Sequence, residues 1–211
     1  MSKQGFFSRF VSLFRAFFKK KKKLALGIYG PTNAGKTTLA NKISMDWTGE
    51  EVGIVSNVPH ETRQIQKKEN VIIKQDGKEL TINLIDTPGI ATKVDYEDFI
   101  KFKINKKESQ QRAREATQGI IEAIKWLDNM ECVLAVMDAT KNPLTQVNLT
   151  ILGNLEARGI PVIIVANKVD LKKANLKRIE SAFPQYKVVG VSAREGKNIE
   201  GLYKTIFETV L

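Results

Sequence analysis

The chain holds a single cysteine, Cys132, so an internal disulfide is excluded and a reducing, cytoplasmic setting is expected. Cys132 opens the apolar run Cys132–Val136, where a small buried hydrophobe is expected. No stretch of about 18 apolar residues occurs, so no bilayer-spanning helix is expected. Ser2 stands where N-myristoylation needs glycine, and no prenylation box closes the C-terminus. A secretory signal is not expected either, because Arg9 and Arg15 interrupt the apolar amino-terminal segment and no cleavage site separates it from the first strand. Internal repeats are lacking. The first 23 residues contain no acidic side chain at all.

What is present is a chain of 211 residues, 42% apolar, which suits one domain with a full core. The net charge is +11, and residues 1–23 carry eight basic residues, leaving +3 on the remainder. A balanced body with a cationic tail points to an anionic partner, either a membrane surface or nucleic acid. Within the tail, Phe6, Phe7, Phe10, Val11, Leu13, Phe14, Phe17 and Phe18 share an arc of roughly 160° at ~100° per residue. Ser8, Arg9, Ser12, Arg15 and Ala16 fill the other side, and Lys19–Lys23 follow. This pattern describes an interfacial helix on an anionic membrane, giving a cytoplasmic, peripherally membrane-associated protein. Docking on a protein groove or on RNA are the alternatives, although RNA accounts for the lysines and not for the phenylalanines.

From residue 24 onward, strands and helices alternate. Leu24–Tyr29, Cys132–Met137, Val162–Ala166 and Lys187–Val191 read as strands. Val71–Lys74 and Leu80–Ile85 flank Asp76-Gly77, a hairpin signal. Helices are expected over 37–46, 109–129, 145–158 (closed by Gly159), 172–182 and 198–210. Such alternation predicts a mainly parallel sheet with helices on both faces and a ligand at the carboxyl ends of its strands.

Motifs fall at those ends. Gly30-Pro31-Thr32-Asn33-Ala34-Gly35-Lys36-Thr37 fits G-x-x-x-x-G-K-[ST] between a strand and a helix. Glycines let such a loop wrap a phosphate with its N–H groups inward, and the helix start adds positive potential. Asn33, Ala34, Gly35, Lys36, Thr37 and Thr38 are the expected phosphate-binding residues. Lys36 reaches the β- and γ-phosphates, and the Thr37 hydroxyl is placed to ligate Mg²⁺. Asp86-Thr87-Pro88-Gly89 also follows a strand. Asp86 is a second candidate for holding Mg²⁺, and Gly89 can offer an N–H to a γ-phosphate.

Asn167-Lys168-Val169-Asp170 selects the base. Guanine presents N1–H and N2–H₂ donors on one edge, which the Asp170 carboxylate can accept together, whereas adenine offers an acceptor there. Asn167 can contact the base or tie this loop to the phosphate loop, and the Lys168 stem can cover the base face. Ser192-Ala193 can supply an N–H to the guanine carbonyl.

In this order the four motifs resemble the translation-factor-related P-loop GTPases, most closely the Era-like branch, over roughly residues 24–211. The resemblance implies an α/β P-loop NTPase fold: a three-layer sandwich on a six-stranded, mostly parallel sheet with one antiparallel strand. It implies a GTPase domain at 24–211 behind the 1–23 tail, hydrolysing GTP to GDP as a molecular switch. It further implies that Thr62 ligates Mg²⁺ and senses γ-phosphate from the first switch. The neighbouring His60 reads as an exposed loop residue.

Three departures qualify the resemblance. Ile90 stands where Ras-like enzymes carry a water-orienting Gln, so slow intrinsic hydrolysis is expected. Asn33 matches the phosphate-loop Asn that binds an activating K⁺ in some Era-like enzymes. No RNA-binding KH domain is read in the chain, and the stretch from Ala91 to Arg112 is long, an expected effector contact beside the second switch. Besides the membrane-recruited switch, an RNA- or ribosome-associated assembly GTPase remains the alternative.

Overall fold

The computed structural model describes residues 23–53, 64–90, 111, 117–118 and 121–211. The expected tail helix in residues 1–22, Thr62 with His60, and the Ala91–Arg112 stretch except Gln111 lie outside the described residues.

The strands are β1 (Leu24–Tyr29), β2 (Gln66–Gln75), β3 (Lys78–Asp86), β4 (Cys132–Asp138), β5 (Val162–Asn167) and β6 (Lys187–Val191). They form one six-stranded sheet in the order β2-β3-β1-β4-β5-β6. Only β2 runs antiparallel, joined to β3 by a hairpin. Its two-residue turn places Asp76 at φ 48° and Gly77 at φ 73°, the left-handed pair that a tight hairpin between twisted strands requires. The fold is therefore the expected α/β P-loop sandwich.

Helices α1 (Lys36–Thr48), α2 (Gln146–Ala157), α3 (Leu176–Ala182) and α4 (Ile199–Val210) cover both faces. Strand β4 shows why both faces must be covered, since all its residues are buried. Leu134 and Val136 pack with Leu39 and Ile43 of α1 and Leu202 and Ile206 of α4. The alternate residues face the other layer: Val133 clusters with Ile151 and Leu155 of α2, and Met137 with Ile179 of α3. A period of two applied to a continuous apolar run produces two cores. Cys132 has the expected buried place, and burial pushes its thiol up to about 12.

Two helix boundaries differ from expectation. The 172–182 helix begins only at Leu176, because the Asn175 side chain accepts from the Arg178 N–H and caps the helix there. Within the expected 109–129 helix, residues 121–126 are helical and tighten into a 3₁₀ turn at Leu127–Asn129. Among the described residues, no helix is long and apolar enough to cross a membrane.

Candidate functional site

Parallel strands β1, β3, β4, β5 and β6 deliver their carboxyl ends to one edge of the sheet, and every described motif residue sits there. The loop after β1 turns at Gly30, where a Cβ would lie 2.3 Å from the Val136 carbonyl oxygen. Asn33 adopts φ 60°, a left-handed position that Asn tolerates better than most residues. At Gly35, with φ 92°, a Cβ would lie 2.3 Å from Asn167 Nδ2. Gly35 is the N-cap of α1 and offers no side-chain cap, so the helix presents its first N–H groups to the loop. Lys36 is 6% exposed, with its Nζ donating to the Pro31 carbonyl at 3.0 Å. Burial pulls its ammonium down to about 8, against the opposing pull of Asp86. Thr38 follows, half-buried, on α1.

Across from the loop, the Thr37 hydroxyl donates to Asp86 Oδ2 at 2.7 Å. Asp86 is fully buried, and its Oδ1 has no hydrogen-bond partner among the described residues. Burial pushes this carboxyl up, and Lys36 and the Thr37 hydroxyl oppose that shift. A buried carboxylate oxygen lacking a partner, beside a hydroxyl, is a hard oxygen donor set and fits Mg²⁺. The next residues are pinned to the loop. Thr87 Oγ1 donates to the Ile28 carbonyl at 2.7 Å, and the Ile90 N–H donates to the Gly30 carbonyl at 3.1 Å. Gly89 lies so close that a Cβ would come within 2.8 Å of Thr32 Cα. Ile90 itself is buried in the cluster of Tyr29, Ile85 and Leu127.

Asn167, the last residue of β5, ties two loops together. Its Nδ2 donates to the Ala34 carbonyl at 2.9 Å, and its Oδ1 accepts from the Ala193 N–H at 3.0 Å. Of the two roles open to it from sequence, the structure displays the tie to the phosphate loop. Lys168, at φ 69°, reaches back so that Nζ donates to the Asn33 carbonyl at 2.7 Å. Asp170 is exposed, and a hydrogen bond from Ser192 holds its carboxyl below the usual range. Ser192 and Ala193 are buried. The structure thus gathers Asn33–Thr38, Asp86, Gly89, Asn167, Lys168, Asp170, Ser192 and Ala193 at one edge. Thr62 lies outside the described residues.

Asp138 escaped sequence reasoning. It ends β4 as Asp86 ends β3, and its Oδ2 accepts from Lys168 Nζ at 2.7 Å. The signal was an acidic residue closing a fully apolar strand.

A glycine loop between a strand and a helix, a buried lysine within it, and a hydroxyl–carboxylate pair facing it define a P-loop nucleotide-binding protein. The family model for the 50S ribosome-binding GTPase matches residues 25–168, and the chain belongs to that GTPase family. GTPase Era of Geotalea daltonii is 31% identical over 212 residues, covering 98% of this chain and 57% of its own. Era of Alkaliphilus oremlandii is 30% identical over 188 residues, covering 86% of this chain and 54% of its own. The tRNA modification GTPase MnmE of Legionella pneumophila (strain Paris) is 29% identical over 187 residues, covering 89% and 34%. The chain therefore spans about half the length of the Era relatives, or less for MnmE. The fold matches Aquifex aeolicus Era bound to GDP and AlF₄⁻ with a TM-score of 0.68 at 24% identity, over 90% of this chain and 58% of that one.

Proposed function

We propose that residues 24–211 form a slow GTP-hydrolysing switch whose nucleotide is held with Mg²⁺ at the strand-end site. The observation that carries this reading is the Thr37–Asp86 pair, 2.7 Å apart, with a buried carboxylate oxygen left without a partner among the described residues. Lys36 binds the β- and γ-phosphates, and the N–H groups of the loop and of Gly89 cradle them. Thr37, Asp86 and Thr62 would hold the metal, which would supply charge stabilisation for phosphoryl transfer. Asp170 accepts from the guanine edge, the Ser192-Ala193 backbone donates to its carbonyl, and the Lys168 stem covers its face. Asn33 would supply an oxygen to an activating K⁺. In titration calorimetry with Mg²⁺, GDP and a GTP analogue bind and ADP does not, and EDTA weakens the GTP analogue at least ~tenfold. Equal uptake of ADP would overturn the reading.

The finer proposal concerns docking. Six phenylalanines on one arc followed by five lysines support recruitment of residues 1–23 to an anionic membrane surface. A second reading rests on the relatives: one Era was solved with MgGDPNP and nucleotides 1506–1542 of 16S ribosomal RNA. It makes the chain an RNA- or ribosome-associated GTPase, with the same cationic tail meeting phosphates. In both readings an effector senses the nucleotide near Ala91–Arg112.

A further inference from the structure

Asp138 belongs to none of the nucleotide motifs, yet it is tied to two of them. It closes β4, and the β4–β5 register sets it opposite Asn167, so the residue after Asn167 emerges beside it. Its side chain is 6% exposed, a place where a carboxylate must be paired. Oδ1 accepts from the Thr140 N–H at 2.9 Å and from the Thr140 hydroxyl at 2.6 Å. Oδ2 accepts from Lys168 Nζ at 2.7 Å, and the same ammonium donates to the Asn33 carbonyl at 2.7 Å. Lys168 thus spans from the base-selecting loop to the phosphate loop, with its far end fixed at both. Its backbone occupies a left-handed position, φ 69°, which a lysine holds only when its surroundings over-determine it.

Resting on the guanine-nucleotide reading above, we propose that Asp138 is a positioning residue that anchors the Lys168 ammonium, so the lysine stem is ordered as the floor of the base site before nucleotide arrives. A lysine side chain has many rotamers. Held by the Asn33 carbonyl alone, it must be ordered by the nucleotide on each binding event, at a cost in affinity. The Asp138 side chain is hydrogen-bonded to Thr140 and Lys168, and its effect on the base site passes through Lys168. Binding should therefore respond to its removal, and the chemical step at saturation should not.

The test uses the full chain and a fluorescent GDP. Asp138→Ala releases GDP about tenfold faster and raises the KM for GTP about tenfold, with kcat within ~twofold of wild type. Lys168→Met likewise speeds GDP release, and the double variant releases GDP no faster than the more severe single one, because the two side chains act as a unit. Asp138→Asn guards against misfolding: its Oδ1 still accepts from Thr140, but an amide group now faces the ammonium, so GDP release is again fast. Wild-type GDP release in Asp138→Asn, or additive single effects in the double variant, would overturn the proposal. Failure of the wild-type chain to take up GDP would instead overturn the functional reading beneath it.

Discussion

Ile90 comes directly after Gly89, yet its side chain turns away from the phosphate loop into the cluster of Tyr29, Ile85 and Leu127. The residue is 6% exposed, and its N–H is held by the Gly30 carbonyl. Polarity at this position therefore meets apolar neighbours and not a water beside the phosphate. Ile90→Gln should leave kcat unraised and lower stability by about 1–3 kcal/mol, the cost of an amide buried without partners. Phosphate release and urea unfolding measure the two, and a tenfold gain in kcat would contradict the geometry. Asn33 is the other telling residue. Its backbone is committed to Lys168 while its side chain is exposed beside the loop. If that side chain supplies an oxygen to K⁺, GTP hydrolysis in KCl should exceed that in NaCl by at least ~tenfold, a modest share of what a transition-state cation supplies. Equal rates in the two salts would remove K⁺ from the account.

Elements meet through a few polar ties set in apolar packing. The Tyr29 hydroxyl, at the end of β1, donates to the Ala123 carbonyl at 2.9 Å and so joins the strand that feeds the phosphate loop to the helical segment at 121–126. Burial drives this phenol far above its usual range, so it stays a neutral donor. Tyr29→Phe keeps the ring and should cost about 0.5–1.5 kcal/mol, seen as a lower urea midpoint at unchanged m-value. On the opposite face, Tyr203 of α4 donates to Asp46 of α1 at 2.8 Å and meets Trp47 edge-on at 5.5 Å. These pairs hold α1, and with it the N–H groups at its start, against the rest of the domain.

For the whole molecule, the distribution of charge sets the expectation: eight basic residues in the first 23 and near balance elsewhere. In liposome flotation with anionic lipid, the full chain should float and a chain lacking residues 1–23 should not, with the bound fraction falling as salt rises. Identical behaviour of the two would discard the membrane proposal and leave the RNA reading. Co-sedimentation with ribosomes at moderate salt tests that one.

Contiguous chemistry was readable in the chain. A phosphate cradle is made by the backbone of neighbouring residues, so Gly30–Thr37 declares itself, and the two-residue period of β4 declares burial on both sides. The Asp76-Gly77 turn and the antiparallel β2 follow from equally local stereochemistry. The pairing of Asp138 with Lys168, 30 positions apart, arises only because β4 and β5 lie side by side in one register. The choice of Asn167 for tying loops and the inward turn of Ile90 were likewise decided by what surrounds them. The start of α3 at Leu176 depended on the Asn175 cap prevailing over helical spacing. Short-range stereochemistry is written along the backbone, whereas a side chain's partner is set by which strand ends the sheet brings within hydrogen-bond reach.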